Sequence, residues 1–113
     1  MPIKLVLPIN HPRGRKDLTC PEVHCDYCQE RIKSARHGNY EWEVDEQGAP
    51  TTGQMCFTHK LCSRPFRQAN GEAEGRHWFS MELADLLVFL PRNLSTSPQQ
   101  VAAHERKMIE HAL

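Results

Sequence analysis

Two four-residue stretches decide the expected fold, Cys25-Asp26-Tyr27-Cys28 and His59-Lys60-Leu61-Cys62. Each stretch carries two potential metal ligands separated by two residues, and together they supply three thiolates and one imidazole. Zinc takes this number and type of ligands in a closed, tetrahedral structural site. The sequence therefore predicts one zinc ion per chain, bound by Cys25, Cys28, His59 and Cys62.

Three further side chains, Cys20, His24 and Cys56, lie close to these pairs and are alternative ligands. We expect them to be bystanders. The five cysteines are an odd number, and neither a signal-peptide core nor an apolar segment long enough to cross a membrane is evident. Reduced thiols in the cytoplasm are therefore expected, with no membrane association.

The length of 113 residues predicts a single domain. We expect an N-terminal arm over residues 1–19, with a short edge strand from Ile3 to Leu7 and a basic loop, followed by one zinc-binding domain over 20–113. A chain of this size has a modest core. Structural zinc, which contributes on the order of 10 kcal/mol in small zinc domains, would matter for its stability.

The segment between the two ligand pairs predicts a β-hairpin. Tyr40 to Asp45 alternates apolar with acidic residues, which is typical of a strand with one apolar and one acidic face. Asp45 to Gly53 is rich in turn residues, and Gln54 to Thr58 returns as the second strand. After the second ligand pair, a short helix is expected from Ser63 as N-cap to Asn70-Gly71, with Phe66 and Ala69 facing the core.

This order of ligand pair, hairpin, ligand pair and helix resembles the treble-clef family of zinc domains. The form Cys-x-x-Cys followed by His-x-x-Cys is similar to the first zinc module of a LIM domain, and the resemblance places Cys25, Cys28, His59 and Cys62 at the four ligand positions. It implies a treble-clef-like core over residues 20–71. The hairpin segment is longer than a LIM module normally uses, and no second group of cysteines follows Cys62.

The C-terminal part, residues 79–113, predicts two helices, which makes the fold class α+β. The run from Met81 to Leu90 favours a helix capped by Ser80 and stopped by Pro91, with a buried strand as the open alternative. It is apolar nearly all round, so it should be buried, or else form an oligomer or partner interface. Ser97-Pro98-Gln99-Gln100 predicts a capped second helix that packs on the core through Val101, Met108 and Ile109.

Four protein ligands leave no open position for water, which a catalytic zinc requires. We therefore expect a non-enzymatic interaction module with a protein partner. A metal-dependent hydrolase or nuclease is an alternative, but no motif links His37 and His77 to the predicted site.

A nucleic-acid partner is the other alternative. The formal net charge is zero, which gives no overall case for it, but basic residues concentrate before and just after the first ligand pair. The candidate contacts to phosphates are Arg13, Arg15, Lys16, Arg31, Lys33 and Arg36.

Overall fold

The computed structural model describes residues 3–6 and 20–112. Its first strand, β1 (Ile3–Val6), confirms the predicted strand near the N-terminus, and it pairs antiparallel with β2 (Cys20–Val23). The predicted basic loop around Arg13 lies outside the described residues. Within the described ranges the fold is α+β, with two antiparallel sheets and three α-helices.

The second sheet contains the predicted hairpin. Strand β3 (Gly38–Val44) follows a single 3₁₀ turn at Ala35–His37 and pairs antiparallel with β4 (Cys56–His59), so that Tyr40 lies opposite Phe57. A second 3₁₀ turn (Lys60–Cys62) leads into helix α1 (Ser63–Ala69). Ser63 is the first residue of this helix and not its N-cap, which is Cys62.

The prediction of a helix from Ser80 is wrong at its start. A third 3₁₀ turn (Glu72–Glu74) precedes strand β5 (His77–Glu82), which pairs antiparallel with β3 and gives the sheet order β4-β3-β5. The backbone groups of β3 that face away from β4 need partners, and β5 supplies them. Its aromatic residues suit a strand.

Helix α2 (Leu83–Asn93) follows β5 directly and continues through Pro91, so the predicted stop at that residue is also wrong. Pro91 lies in the last turn of the helix. There its missing N–H removes only one hydrogen bond near the helix end. Helix α3 (Pro98–Ala112) begins with the predicted capping box, because the Ser97 N–H donates to Gln100 Oε1 (2.9 Å) and the Gln100 N–H donates to Ser97 Oγ (3.1 Å).

The core lies between the first ligand pair, one face of the second sheet and the start of α2. Its buried members are Cys25, Ile32, Tyr40, Phe57 and Leu83. Ile32, four residues after Cys28, therefore packs beside the first ligand pair. The other face of the sheet is covered by α1.

Helix α1 buries Phe66, as predicted, whereas Ala69 is exposed. The Phe66 ring meets the Trp78 indole edge to face, with centroids 5.3 Å apart. Through this contact, helix α1 packs against β5 on this face of the sheet. The helix covers only part of this face, which leaves Ala69 in solvent.

The acidic face predicted for β3 is not a solvent face. Glu41 is completely buried, and its two carboxyl oxygens accept hydrogen bonds from Thr58 Oγ1 (2.7 Å) and Ser63 Oγ (2.8 Å). Glu43 accepts two hydrogen bonds from the Arg76 guanidinium. The side chains of β3 do alternate between the two faces of the sheet, but α1 covers the face that carries Glu41.

The expected burial of α2 is confirmed only at its start, where Leu83 is buried in the core, and the expected packing of α3 on the core is wrong. Leu87 is 60% exposed and Val88 is 50% exposed. Along α3, Val101 and Met108 are exposed rather than packed on the core. No helix in the described part of the chain is long and apolar enough to cross a membrane.

Gly38 lies where the start of β3 meets the core. Added at this position, a Cβ would lie 2.9 Å from Ile32 Cγ2 and 3.0 Å from Leu83 Cδ2, so Gly38→Ala is expected to lower the free energy of unfolding by about 1–3 kcal/mol through overpacking. Chemical denaturation measures this effect. Gln47→Ala, in an exposed loop, is the control and should change the free energy of unfolding by less than about 0.5 kcal/mol. Equal stabilities for the two variants would contradict the close contact at Gly38.

Candidate metal centre

The first ligand pair is presented by a tight turn that starts at Cys25. The Cys25 N–H donates to the Glu30 carbonyl (2.8 Å), and the Gln29 N–H donates back to the Cys25 carbonyl (2.9 Å). Gln29 adopts a left-handed conformation with φ of 69°, which is uncommon for a residue with a side chain. This turn directs the N–H groups of Tyr27 and Cys28 toward Cys25 Sγ, at 3.4 and 3.5 Å.

The second ligand pair is delivered by the end of β4. His59 is the last residue of the strand, and Cys62 ends the 3₁₀ turn that follows it. The turn carrying the first pair is hydrogen-bonded to the outer edge of β4, because the Asp26 N–H donates to the Phe57 carbonyl (2.7 Å) and the Phe57 N–H donates to Asp26 Oδ2 (2.8 Å). Asp26, which lies between the two cysteines, therefore fixes one ligand pair against the other.

The structure brings the four predicted ligands together. One ligand atom from each of Cys25, Cys28, His59 and Cys62 lies within 4.8 Å of all the others. Zinc bound to sulfur at about 2.3 Å and to nitrogen at about 2.0 Å in a tetrahedron requires ligand atoms roughly 3.5–3.8 Å apart. The Cys28 Sγ to His59 Nδ1 distance is 3.3 Å. Small side-chain adjustments would therefore accommodate a tetrahedral ion.

The orientation of His59 identifies its ligand atom. Its Nε2 lies 3.0 Å from the Arg31 carbonyl oxygen, which can only accept a hydrogen bond. The proton of the neutral ring therefore sits on Nε2, and Nδ1 presents its lone pair toward Cys28. Metal-ligating histidines are typically held by such a hydrogen bond from the second ring nitrogen. No sequence pattern indicated the Arg31 carbonyl, since a backbone group can be supplied by any residue.

Comparison with known proteins assigns no family to this geometry. No family model, no curated protein and no solved structure matches the chain. The centre is therefore described by its own residues, as a three-cysteine, one-histidine cluster able to hold a metal ion in a small α+β fold.

The pKa values of two thiols of the cluster, Cys25 and Cys62, are shifted in opposite directions. Burial raises the pKa of Cys25, but the N–H groups of Cys28, His59 and Tyr27 that point at its sulfur have the larger, opposite effect. The net pKa of Cys25 is lowered from an ordinary value of 9.0 to about 7. Burial, together with the adjacent sulfurs of Cys25 and Cys28, raises the pKa of Cys62 to about 12. Three thiolates this close repel one another, and a divalent cation would offset the repulsion.

The alternative ligands that the structure describes lie outside the cluster. His24 Nε2 is 3.1 Å from Glu22 Oε1, and its Nδ1 is 3.2 Å from the Gln29 carbonyl oxygen. Burial raises the pKa of the Cys56 thiol, with further contributions from the Asp26 and Glu41 carboxyls. His37 and His77 are exposed and also lie outside the cluster.

The candidate nucleic-acid contacts are only partly described. Arg31, Lys33 and Arg36 are all exposed, and they lie on the segment between the first ligand pair and β3. Arg31 Nη1 is 3.2 Å from Glu22 Oε2, so this charge already has a partner. Arg13, Arg15 and Lys16 lie outside the described residues.

Proposed function

We propose that this chain is a non-enzymatic interaction module whose fold is held by one structural zinc ion. The cluster of Cys25, Cys28, His59 and Cys62, all within reach of one ion, carries the proposal. These ligands come from two turns that lie far apart in the sequence. A bound zinc ion would therefore cross-link the segment around residue 25 to the end of the hairpin. The order of turn, hairpin and α1 supports a treble-clef-like, LIM-type module as the structural class.

The donor set favours zinc over other metals. Thiolates and imidazole select zinc among the divalent ions that prefer tetrahedral geometry, whereas magnesium and calcium require oxygen ligands. When bound, zinc supplies a fixed cross-link. Four protein ligands leave no position for a reactive water, and this supports a structural rather than a catalytic role.

Elemental analysis of protein purified without chelator tests the metal. We expect one zinc per chain, and removal with a strong chelator should abolish the cooperative unfolding transition. Protein that is folded and contains no stoichiometric metal would contradict the proposal.

Zinc binding is expected to release protons at neutral pH. Cys62, with its pKa raised to about 12, is protonated in the metal-free protein and must lose its proton to become a thiolate ligand. The affinity for zinc should therefore fall as the pH is lowered. Calorimetry in two buffers of different ionisation enthalpy measures the number of protons released, and a value of zero at pH 7 would contradict this expectation.

The proposed protein-binding surface lies between α2 and α3. A cavity of about 500 Å³ there is lined by Leu87, Val88, Pro91 and Val101, among others. Exposed apolar surface of this kind marks interaction sites, and an amphipathic helix is a typical occupant of such a groove. We infer that a protein partner binds here.

Affinity capture from the native host tests this surface. Wild-type protein and the exposed control variant Gln99→Ala should retain the same partner. Leu87→Glu, which places a charge in the groove, should lose it. Equal capture by all three proteins would show that the groove is not the binding surface.

A nucleic-acid partner is the second candidate, favoured by the exposed Arg31, Lys33 and Arg36 beside the metal cluster. Phosphate contacts make affinity fall steeply with salt. Retention of RNA or DNA at low salt, weakened by Lys33→Ala combined with Arg36→Ala, would support this candidate. Absence of retention at low salt would remove it.

A further inference from the structure

The two edges of the second sheet differ. The outer edge of β4 is occupied by the turn of the first ligand pair, through the two hydrogen bonds between Asp26 and Phe57 and a third from the His59 N–H to Cys25 Sγ. The opposite edge is β5, which pairs only with β3 in the described part of the chain. One edge is therefore closed and the other is open.

The hydrogen bonds of β4 establish which backbone groups of β5 face the open edge. The N–H and C=O of Phe57 point outward to Asp26, so the neighbouring residues of β4 bond to β3. Tyr40, which lies opposite Phe57, must then direct its own N–H and C=O the other way, toward Met81 of β5. The direction of the backbone N–H and C=O groups alternates along an antiparallel strand. His77, Phe79 and Met81 therefore bond to β3, and the residues between them direct their backbone groups away from β3.

Three residues of β5 consequently present backbone groups at the open edge. Trp78 and Ser80 present both N–H and C=O, and Glu82 presents its N–H, because its C=O is the N-cap carbonyl of α2. No backbone hydrogen bond to these outward groups occurs among the described residues. Unpaired edges of this kind are normally protected by proline, lysine, a bulge or a covering loop. The sequence of β5, His-Trp-Phe-Ser-Met-Glu, contains no proline, glycine or lysine.

We propose that β5 pairs antiparallel with β5 of a second copy of this chain, across a two-fold axis perpendicular to the sheet. The result is a six-stranded sheet in the order β4-β3-β5-β5-β3-β4. The register that pairs all three outward residues sets Ser80 opposite Ser80 and Trp78 opposite Glu82. In this arrangement both outer edges of the joined sheet are the β4 edges, which the metal-cluster turns already close.

Side-chain chemistry favours a second copy over an unrelated strand. In this register Phe79 of one copy lies beside Met81 of the other, on the face that carries α2. Both side chains are apolar, so cross-strand packing of this pair would stabilise the joined edge twice, once on each side of the two-fold axis. An interface that is complementary to itself gives a closed, two-fold dimer.

Apolar side chains next to this edge would add to the interface. The Phe79 ring contacts Trp42, with centroids 5.9 Å apart, and Trp42 lines a groove with Phe89 and Leu90. Phe79 is 52% exposed, Phe89 44% and Leu90 47%. Half-exposed side chains of this kind leave on the order of 100 Å² each accessible. Together they offer roughly 300 Å² beside the edge of a six-residue strand, which is below the roughly 800 Å² per partner of a standard interface and fits a weak, concentration-dependent dimer.

Sedimentation equilibrium of the full, metal-replete chain tests the proposal. The wild type should dimerise. Ser80→Pro removes an outward N–H in each copy without removing a bond to β3, and should weaken self-association by roughly tenfold or more. Ser80→Ala keeps the N–H and removes a hydroxyl that has no partner among the described residues, so it should dimerise as the wild type does.

A second variant, Phe79→Lys, addresses the case in which Ser80→Pro fails to fold. It replaces a half-exposed side chain and places a charge close to the two-fold axis, so it should also yield monomers. A wild type that is monomeric at all concentrations would overturn the proposal. So would a dimer that resists both variants but is lost in Leu87→Glu, because that dimer would use the α2–α3 groove. The inference does not depend on a protein partner at that groove.

Discussion

Cys25→Ser is expected to abolish stoichiometric zinc binding and the cooperative unfolding of the purified protein. Cys25 is 1% exposed, and its sulfur receives N–H groups from Tyr27, Cys28 and His59, which belong to both ligand pairs. Structural zinc contributes on the order of 10 kcal/mol. That is comparable to the whole net stability of an ordinary domain, about 5–15 kcal/mol.

Cys56→Ser is the matched control for this experiment. Cys56 is a partly buried cysteine of the hairpin that lies outside the cluster. The Cys56 variant should retain one zinc per chain and a cooperative transition by circular dichroism. If the Cys25 variant retained both properties too, Cys25 would not be a ligand.

Glu41→Ala is expected to destabilise the protein by about 3 kcal/mol or more. The substitution leaves a cavity at a site with no solvent access and removes the acceptor of two buried hydroxyls, those of Thr58 and Ser63. Unsatisfied buried polar groups cost about 1–3 kcal/mol each. Because Thr58 belongs to β4 and Ser63 to α1, the loss should also loosen α1 on the sheet.

Urea denaturation of metal-replete protein measures this loss, and amide hydrogen exchange reports on α1. Glu46→Ala, in the exposed hairpin loop, is the control and should leave the free energy of unfolding nearly unchanged. Similar stabilities of the Glu41 and Glu46 variants would show that the buried carboxyl does not connect α1 to the sheet.

Sequence patterns predicted those parts of the fold that depend on interactions between residues close together in the chain. The spacing within each ligand pair placed all four side chains in one cluster, and the alternation from Tyr40 to Asp45 located β3. The capping box at Ser97 located the start of α3 because its hydrogen bonds lie within four residues.

Features that depend on tertiary pairing were missed. β5 forms because β3 has backbone groups without partners, and the sequence from His77 to Glu82 does not reveal this. Alternation showed that Glu41 faces away from Tyr40, but not that α1 would cover it. The apolar character of α2 was evident, whereas its exposure at Leu87 depends on where the neighbouring elements end.

X-ray absorption at the zinc edge, on protein purified without chelator, tests the proposed coordination directly. Three sulfur neighbours at about 2.3 Å and one nitrogen at about 2.0 Å are the predicted shell. A shell with an oxygen ligand from water, or with fewer than three sulfurs, would contradict a closed site formed by Cys25, Cys28, His59 and Cys62.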